Sequence, residues 1–529
     1  MPASRLGHIG LSDASTPRAA TTDAEMLVRL GLVAAIGSAL LFMLAARAHD
    51  VLLREVSEPL TLLLLVPPEG APDCPASDSG GRVRRARPRW CGPVVGPYAV
   101  AVTPPEWARM FAEELAGHEP PAPAWGQRPV GDAPDLARRF TADPDAADRV
   151  AVVLGAGGSF GPDVVRALRH HGVGLVVGVD TSLTYPVPDA VYRRVDLTDP
   201  HAVADCFDSV WALSARLGLR ADLVVDLVTI QTTPTATVDR HSLENGKQAL
   251  IDVLAGAQGD VSVFHMSTAE VYGAPAGAPY PEDHVKAPFN DYGREKLREE
   301  QVMLAGHGRA TSGGGTLRVV ALRSWTIGMV ETDEAGRVVE TRNYNDPIMY
   351  VAERLARAGI RTPVVDVDLL GTFHLGEEVA EVAVVLLTEP ADSTVWGRVL
   401  NVTGRPAGHG AIRDVLFEVF SAAPPGPRPW WAGPAGIALR RGRLPRRGLE
   451  ALAWLAERAG GAFGARDMAA RLPFLYRSTH LDPTALRSLV GHRLSDPGGG
   501  DTLDAVRRIA IGLRDGGPQA LNQRRYDLY

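Results

Sequence analysis

The segment RVAVVLGAGGSFGPDVVRALRHHGVGLVVGVD, from Arg149 to Asp180, constrains the fold of this 529-residue chain more than any other. It reads as an apolar strand, a glycine-rich turn, a helix with Val164, Val165 and Leu168 on one face, and a second apolar strand ending in an acid. Gly155, Gly158 and Gly161 fall three apart. In such a turn the first glycine lets the chain bend tightly, the second lets backbone amides approach a pyrophosphate, and the third lets helix pack against strand. The helix N-terminus then faces phosphate charge. Asp180 is placed to accept hydrogen bonds from an adenosine ribose, and a carboxylate there disfavours a 2'-phosphate, so NAD is expected over NADP. The expected fold class is α/β, a Rossmann doubly wound parallel sheet with helices on both faces.

A second tract, STAEVYGAPAGAPYPEDHVKAPFNDYGREK from Ser267 to Lys296, supplies chemistry. Tyr292 and Lys296 are four apart on a stretch that reads helical, so both side chains project from one face. A tyrosine titrates near ~10, so acting as a base at neutral pH requires a shift of about three pH units, roughly 4 kcal/mol. Burial pushes the phenol the wrong way; a lysine ammonium nearby, with the positive ring of an oxidised nicotinamide, supplies the opposing field. Thr268 is expected to share the substrate hydroxyl's proton. The Tyr-x-x-x-Lys spacing recurs by chance on solvated helices, and its weight here comes from the glycine turn upstream.

With these residues in family order, the chain from about Arg149 to its C-terminus resembles an extended short-chain dehydrogenase/reductase of the NAD-dependent epimerase/dehydratase family. The landmarks are LGAGGSFG, VDL at Val195 to Leu197, STAEVYG, YGREK, ALRSWTIG, and later TFHLGEEVAEV and GRVLNVTG. The resemblance implies a catalytic set of Thr268, Tyr292 and Lys296, an NAD site at Gly155, Gly158, Gly161 and Asp180, and adenine contacts from Asp196 and Leu197. It also implies a smaller C-terminal substrate lobe, a nucleotide-sugar substrate, transient oxidation at the sugar C4, and a homodimer. Glu270 precedes the Val-Tyr-Gly triplet, as in 4,6-dehydratases and decarboxylases, which favours these reactions and makes Glu270 the candidate base at C5; a carboxylate capping a nearby amide is the alternative. A 4-epimerase, a dehydrogenase of a non-sugar alcohol and a non-catalytic dinucleotide sensor remain open.

The chain departs from the family pattern in several places. Ala269 stands where some dehydratases carry an aspartate, and DLVTIQTT, with Asp226, Val228 and Thr229, replaces a His-Leu-Ala-Ala turn under the nicotinamide. Gly371 and Thr372 replace an arginine that grips substrate phosphate. Arg471 or Arg477 is the candidate substitute for a diphosphate contact, with a solvated surface position as the alternative for each.

Composition fits a multi-unit protein: 45% apolar residues suffice for a large core. A net charge of −7 does not suggest nucleic-acid binding. Three cysteines without metal-ligand or disulfide spacing point to a reducing compartment, and no metal is expected. Residues 1–66 contain an uncharged run, Leu30 to Ala46, at the short limit for a membrane-spanning helix. Arg47, Arg54 and the cluster from Arg82 to Arg89 would keep its C-terminal side cytoplasmic, giving a cytoplasmic enzyme with a candidate anchor. A buried helix of a small N-terminal module is the alternative. Residues 67–147 read as a Pro/Gly/Arg-rich linker or small module, 148–330 as the NAD-binding core, and 331–529 as hinge and substrate lobe with returning Rossmann elements. Within the lobe, a basic insertion at 424–448 pairs Trp430 and Trp431 with five arginines between Arg440 and Arg447, which suits a membrane interface, a lipid diphosphate or a plain solvated surface.

Overall fold

The structure, a computed structural model, describes residues 146–422 and 477–515 together with 93–94 and 446, apart from gaps at 182–186, 188, 229–239, 274–276, 289–290, 334, 343–346, 358, 363, 366–367 and 498. The apolar run 30–46, nearly all of the 67–147 segment, and the basic insertion except Arg446 lie outside the described residues.

Alternation along each strand builds the core. In β1 (Arg149–Leu154), Ala151 and Val153 face one side of the sheet while Val150, Val152 and Leu154 face the other, and both sets are buried. A strand covered on both faces has no polar side to show, which is why its sequence reads as an unbroken apolar run. The same division holds in β2 (Leu175–Asp180), β5 (Val261–Met266) and β6 (Leu317–Arg323). With β3 (Val191–Arg194), β4 (Arg220–Asp226) and the late β11 (Val399–Asn401), they form a sheet ordered β3-β2-β1-β4-β5-β6-β11 with every pair parallel. The strand order reverses between β1 and β4, which opens a crevice above their C-terminal ends. Pro93–Val94 adds a two-residue antiparallel edge to β3, a strand at a point of the 67–147 segment that its Pro/Gly/Arg composition hides.

Helices cover both faces. On one lie α1 (Gly161–His170), through Val164, Val165 and Leu168, and α6 (Gly376–Leu387), through Val379 and Ala383. On the other lie α2 (Pro200–Arg216), α3 (Arg240–Leu254) and α4 (Asp291–Ala305), through Phe207, Ile251 and Met303 among others. The start of α2 is set locally: the Asp199 carboxylate accepts from the His201 and Ala202 amides at 3.0 and 3.3 Å, and Pro200 follows it.

The smaller lobe has its own sheet, in which β7 (Thr326–Thr332) pairs antiparallel with β8 (Val338–Arg342) and parallel with β10 (Phe373–Leu375). A short antiparallel pair, β9 (Leu370–Gly371) and β12 (Ala407–Gly408), stands beside it. A separate apolar cluster holds α5 (Pro347–Arg357), α7 (His409–Ser421) and α9 (Thr502–Asp515), through Met349, Leu416 and Ile509, while α8 (Thr484–Val490) packs on the Rossmann core through Leu486 and Val490. Among the described residues, no helix is long and apolar enough to cross a membrane.

Candidate active site

Each glycine of the turn has a distinct physical reason. Gly155 adopts φ +82°, a backbone conformation costly to side chains, and its amide donates to the Val179 carbonyl at 2.8 Å. A Cβ on Gly161 would lie 2.1 Å from the Ala156 carbonyl oxygen, so helix α1 could not seat against the turn. A Cβ on Gly158 would meet only the Gly155 oxygen, at 3.3 Å, leaving open approach in front of the turn. The Asp180 carboxylate, at the end of β2, accepts the Gly157 amide at 3.0 Å and is thereby held at the mouth of the turn. Asp196 is exposed, its carboxylate accepting the Thr198 amide and hydroxyl at 2.9 and 2.7 Å, and Leu197 beside it lines a small cleft. Leu154, Val203, Val228 and Leu250 share that lining with Asp226 and Lys247. An amide turn, a carboxylate at its mouth and a mostly apolar cleft lining are the kinds of group that a pyrophosphate, a ribose and an adenine call for in such a fold.

The second half of the site gathers where β4 and β5 end. Beyond Met266, Ser267 and Thr268 lead into a 3-10 turn, Ala269–Tyr272, that carries Glu270. Thr268 is buried, and its Oγ1 accepts the Glu270 amide at 3.2 Å. Tyr292 is half-buried in the first turn of α4, with Lys296 one turn further along. Lys296 is buried, and its Nζ donates to the Val228 carbonyl at 3.2 Å, the Met266 carbonyl at 3.0 Å and Glu299 Oε2 at 3.0 Å. The helix thus delivers Lys296 to the C-terminal ends of two core strands, beneath the point where Thr268 emerges. Glu299 sits against Lys296 as a counter-ion, a neighbour that the Tyr-x-x-x-Lys spacing does not reveal.

Sequence reasoning missed a wider buried charge cluster. Lys247, on α3, donates to both Asp226 oxygens at 2.6 and 2.7 Å, and His265 Nδ1 lies 2.8 Å from Asp226 Oδ2. Burial works to raise the Asp226 carboxyl, but the Lys247 charge, the His265 hydrogen bond and the Lys296 charge outweigh it and hold the group well below the usual carboxylate range. Burial outweighs Asp226 at His265 and lowers that imidazole, keeping it neutral. The available signal was Asp226 itself, an acid at the end of a core strand, which demands a buried cation. Below the site, Arg323 pairs with Glu300 at 2.5 Å and donates to the Tyr272 hydroxyl at 2.6 Å, and Ser267 donates to Glu300 at 2.7 Å.

Arg477 is described and half-buried, near enough to Tyr280 to temper the burial that pushes that phenol up to about 12. Arg471 lies outside the described residues. Among the described residues no group of His, Cys, Asp or Glu is arranged to hold a metal ion.

A parallel sheet with a glycine turn, an acid closing the second strand, and a Tyr-x-x-x-Lys helix at its C-terminal edge is the arrangement that the resemblance to extended short-chain dehydrogenases/reductases implies. Residues 151–324 match the model of the NAD dependent epimerase/dehydratase family. The chain is 25% identical over 248 residues to the "Probable low-salt glycan biosynthesis reductase Agl14" of Haloferax volcanii, spanning 44% of this chain and 75% of that protein. It is 31% identical over 199 residues to the UDP-glucose 4-epimerase of Azospirillum brasilense, spanning 37% of this chain and 53% of the relative. Among solved structures, the UDP-glucuronic acid 4-epimerase of Bacillus cereus with UDP-glucuronic acid and NAD covers 70% of this chain and 100% of its own, at 17% identity and a TM-score of 0.46. The Bordetella bronchiseptica enzyme WbmG with NAD and UDP covers 69% of this chain and 96% of its own, at 18% identity and a TM-score of 0.45.

Proposed function

We propose that this chain is an NAD-dependent enzyme acting on a nucleotide-linked sugar through transient oxidation at C4, with a 4,6-dehydratase or decarboxylase outcome. The observation that carries this reading is the convergence of the Thr268–Glu270 turn with Lys296, whose Nζ bonds the Met266 carbonyl at 3.0 Å, on the crevice beside the glycine turn. The amides around Gly158, Asp180 and the cleft beside Leu197 would hold NAD, which when bound would supply hydride acceptance and return. Tyr292 takes the proton of the C4 hydroxyl, Lys296 stabilises the phenolate, and Thr268 hydrogen-bonds the same hydroxyl. In the dehydratase outcome the C4 ketone makes the C5 hydrogen acidic, Glu270 removes it, the C6 hydroxyl leaves as water and the hydride returns to C6. In the decarboxylase outcome the C5–C6 bond breaks instead, CO2 leaves and C5 takes up a proton, so Glu270 removes nothing from C5. The half-buried position of Glu270 on the 3-10 turn supports the first role. Arg477 is the remaining described candidate for a diphosphate contact.

The 31% identity to a UDP-glucose 4-epimerase favours a second reading, 4-epimerisation, in which Glu270 has no proton to move. Mass spectrometry of products after incubation with a panel of nucleotide sugars separates the readings. Dehydration shows as loss of water, decarboxylation as loss of CO2, and epimerisation as an unchanged mass with a changed retention time. Tyr292→Phe is expected to lower turnover by roughly 10²- to 10⁴-fold, and full turnover in that variant defeats the catalytic assignment. Glu270→Gln that keeps its rate favours the epimerase. The reading extends to a homodimer on the cytoplasmic side, anchored through 30–46, supported by the basic residues that follow that run; sedimentation and membrane fractionation of the full chain test both.

A further inference from the structure

Two lysines and two carboxylates share one buried cluster, reached by α4 one turn after Tyr292. Lys247 Nζ and Lys296 Nζ both donate to the Val228 carbonyl, at 3.3 and 3.2 Å. Glu299 Oε2 accepts from Lys296 at 3.0 Å and stands 3.9 Å from Lys247, within ion-pair reach of both. Asp226 pairs with Lys247 from the opposite side, and His265, neutral, donates to Asp226. The formal charge of the cluster is therefore zero. The next carboxylate on α4, Glu300, is engaged elsewhere, by Ser267 and Arg323.

An ammonium has three N–H donors, and Lys296 commits all three to Val228, Met266 and Glu299. To engage a phenolate or a ligand hydroxyl it must release one. The two carbonyls belong to the backbone just past β4 and at the end of β5, whereas Glu299 is a side chain. Lys247, whose own donors go to Asp226 and Val228, is the second cation, 3.9 Å from Glu299 and able to attract it by charge. We propose that Glu299 is a counter-ion shared by two lysines, and that Lys247 is a positioning residue that draws it away from Lys296, leaving a donor and net positive charge for Tyr292. This rests on Tyr292 and Lys296 being the acid–base pair. Neutralising Glu299 makes the cluster net positive, removing the Lys247 charge makes it net negative, and doing both restores neutrality.

The test needs no substrate. Ultraviolet titration of phenolate formation in the full chain, minus the same titration with Tyr292→Phe added, isolates the Tyr292 phenol. Glu299→Gln lowers its midpoint by about one pH unit, the effect of a unit charge ~10 Å away at an effective dielectric of ~20. Lys247→Met raises it by a similar amount, and the combined variant returns to within roughly a third of that shift from the parent. An unmoved midpoint in Glu299→Gln overturns the proposal, an arm that stands even if Lys247→Met does not fold. So does a combined variant no closer to the parent than Lys247→Met, the result of a merely structural role. Full turnover in Tyr292→Phe would instead defeat the functional reading, so the two failures are distinguishable.

Discussion

The glycine turn offers a dissection in which two substitutions three residues apart fail for different reasons. In Gly161→Ala the new methyl would stand 2.1 Å from the Ala156 oxygen, 2.5 Å from its carbonyl carbon and 2.7 Å from its Cα, all backbone atoms that cannot rotate away. Helix α1 must move off the turn, and overpacking of this kind costs about 1–3 kcal/mol, with the upper end expected against rigid backbone. For a domain of this size ~3 kcal/mol corresponds to a fall of roughly 6–12 °C in Tm. In Gly158→Ala the methyl meets only the Gly155 oxygen, at 3.3 Å, a contact relieved by a shift of a few tenths of an ångström, so Tm is expected to move by no more than ~1 °C. Its cost falls on binding, because the methyl occupies the space through which the turn's amides reach a pyrophosphate; NAD affinity should drop at least ~10-fold. Differential scanning calorimetry and calorimetric NAD titration read the two effects separately. A Gly161→Ala protein as heat-stable as the parent, or a Gly158→Ala protein that binds NAD undiminished, refutes the division of labour.

Three further outcomes follow from buried charges and the acid at the turn. Burial raises Asp163 to about 6 against the opposing Arg342 and Arg166 charges, so its folded pKa lies above its unfolded one. Its contribution to stability is full below about pH 4 and is lost as pH rises through about 6, an effect of up to ~3 kcal/mol, so the Tm advantage of the parent over Asp163→Asn should shrink between pH 4 and 7. Arg323→Met strips Glu300 of its bidentate partner in a dry site and should cost about 3–5 kcal/mol in guanidinium unfolding; a loss below ~1 kcal/mol would show that Ser267 alone satisfies the carboxylate. Asp180→Ala removes the carboxylate that would repel a 2'-phosphate, so the NAD to NADP affinity ratio should fall at least ~10-fold in parallel titrations.

The strand, glycine turn, helix and strand from Arg149 to Asp180 were legible because their signals are local. Gly155 through Asp180 form one continuous strand, turn, helix and strand, and the period-2 and helical apolar patterns report burial without reference to anything remote. Tyr292 and Lys296 are likewise neighbours on one helix, visible by spacing alone. The charge cluster was not legible. Lys247 sits in GKQAL and Glu299 in REEQ, contexts that read as solvated helix surface, and each acquires a partner only when α3, α4 and the ends of β4 and β5 converge.

The amino-acid order by itself determined the α/β class, the dinucleotide turn with its acid, and the Tyr-x-x-x-Lys helix, since each depends on backbone geometry and periodicity within a few dozen residues. Only the tertiary structure decided the electrostatic surroundings of the buried charges: which carboxylate stands against Lys296, that Lys247 and His265 flank Asp226, and that Arg342 on the smaller lobe's sheet is bound to Asp163 on the first Rossmann helix at 2.6 Å. Desolvation and Coulomb attraction act on whatever the fold brings close, and separation along the chain carries no information about either.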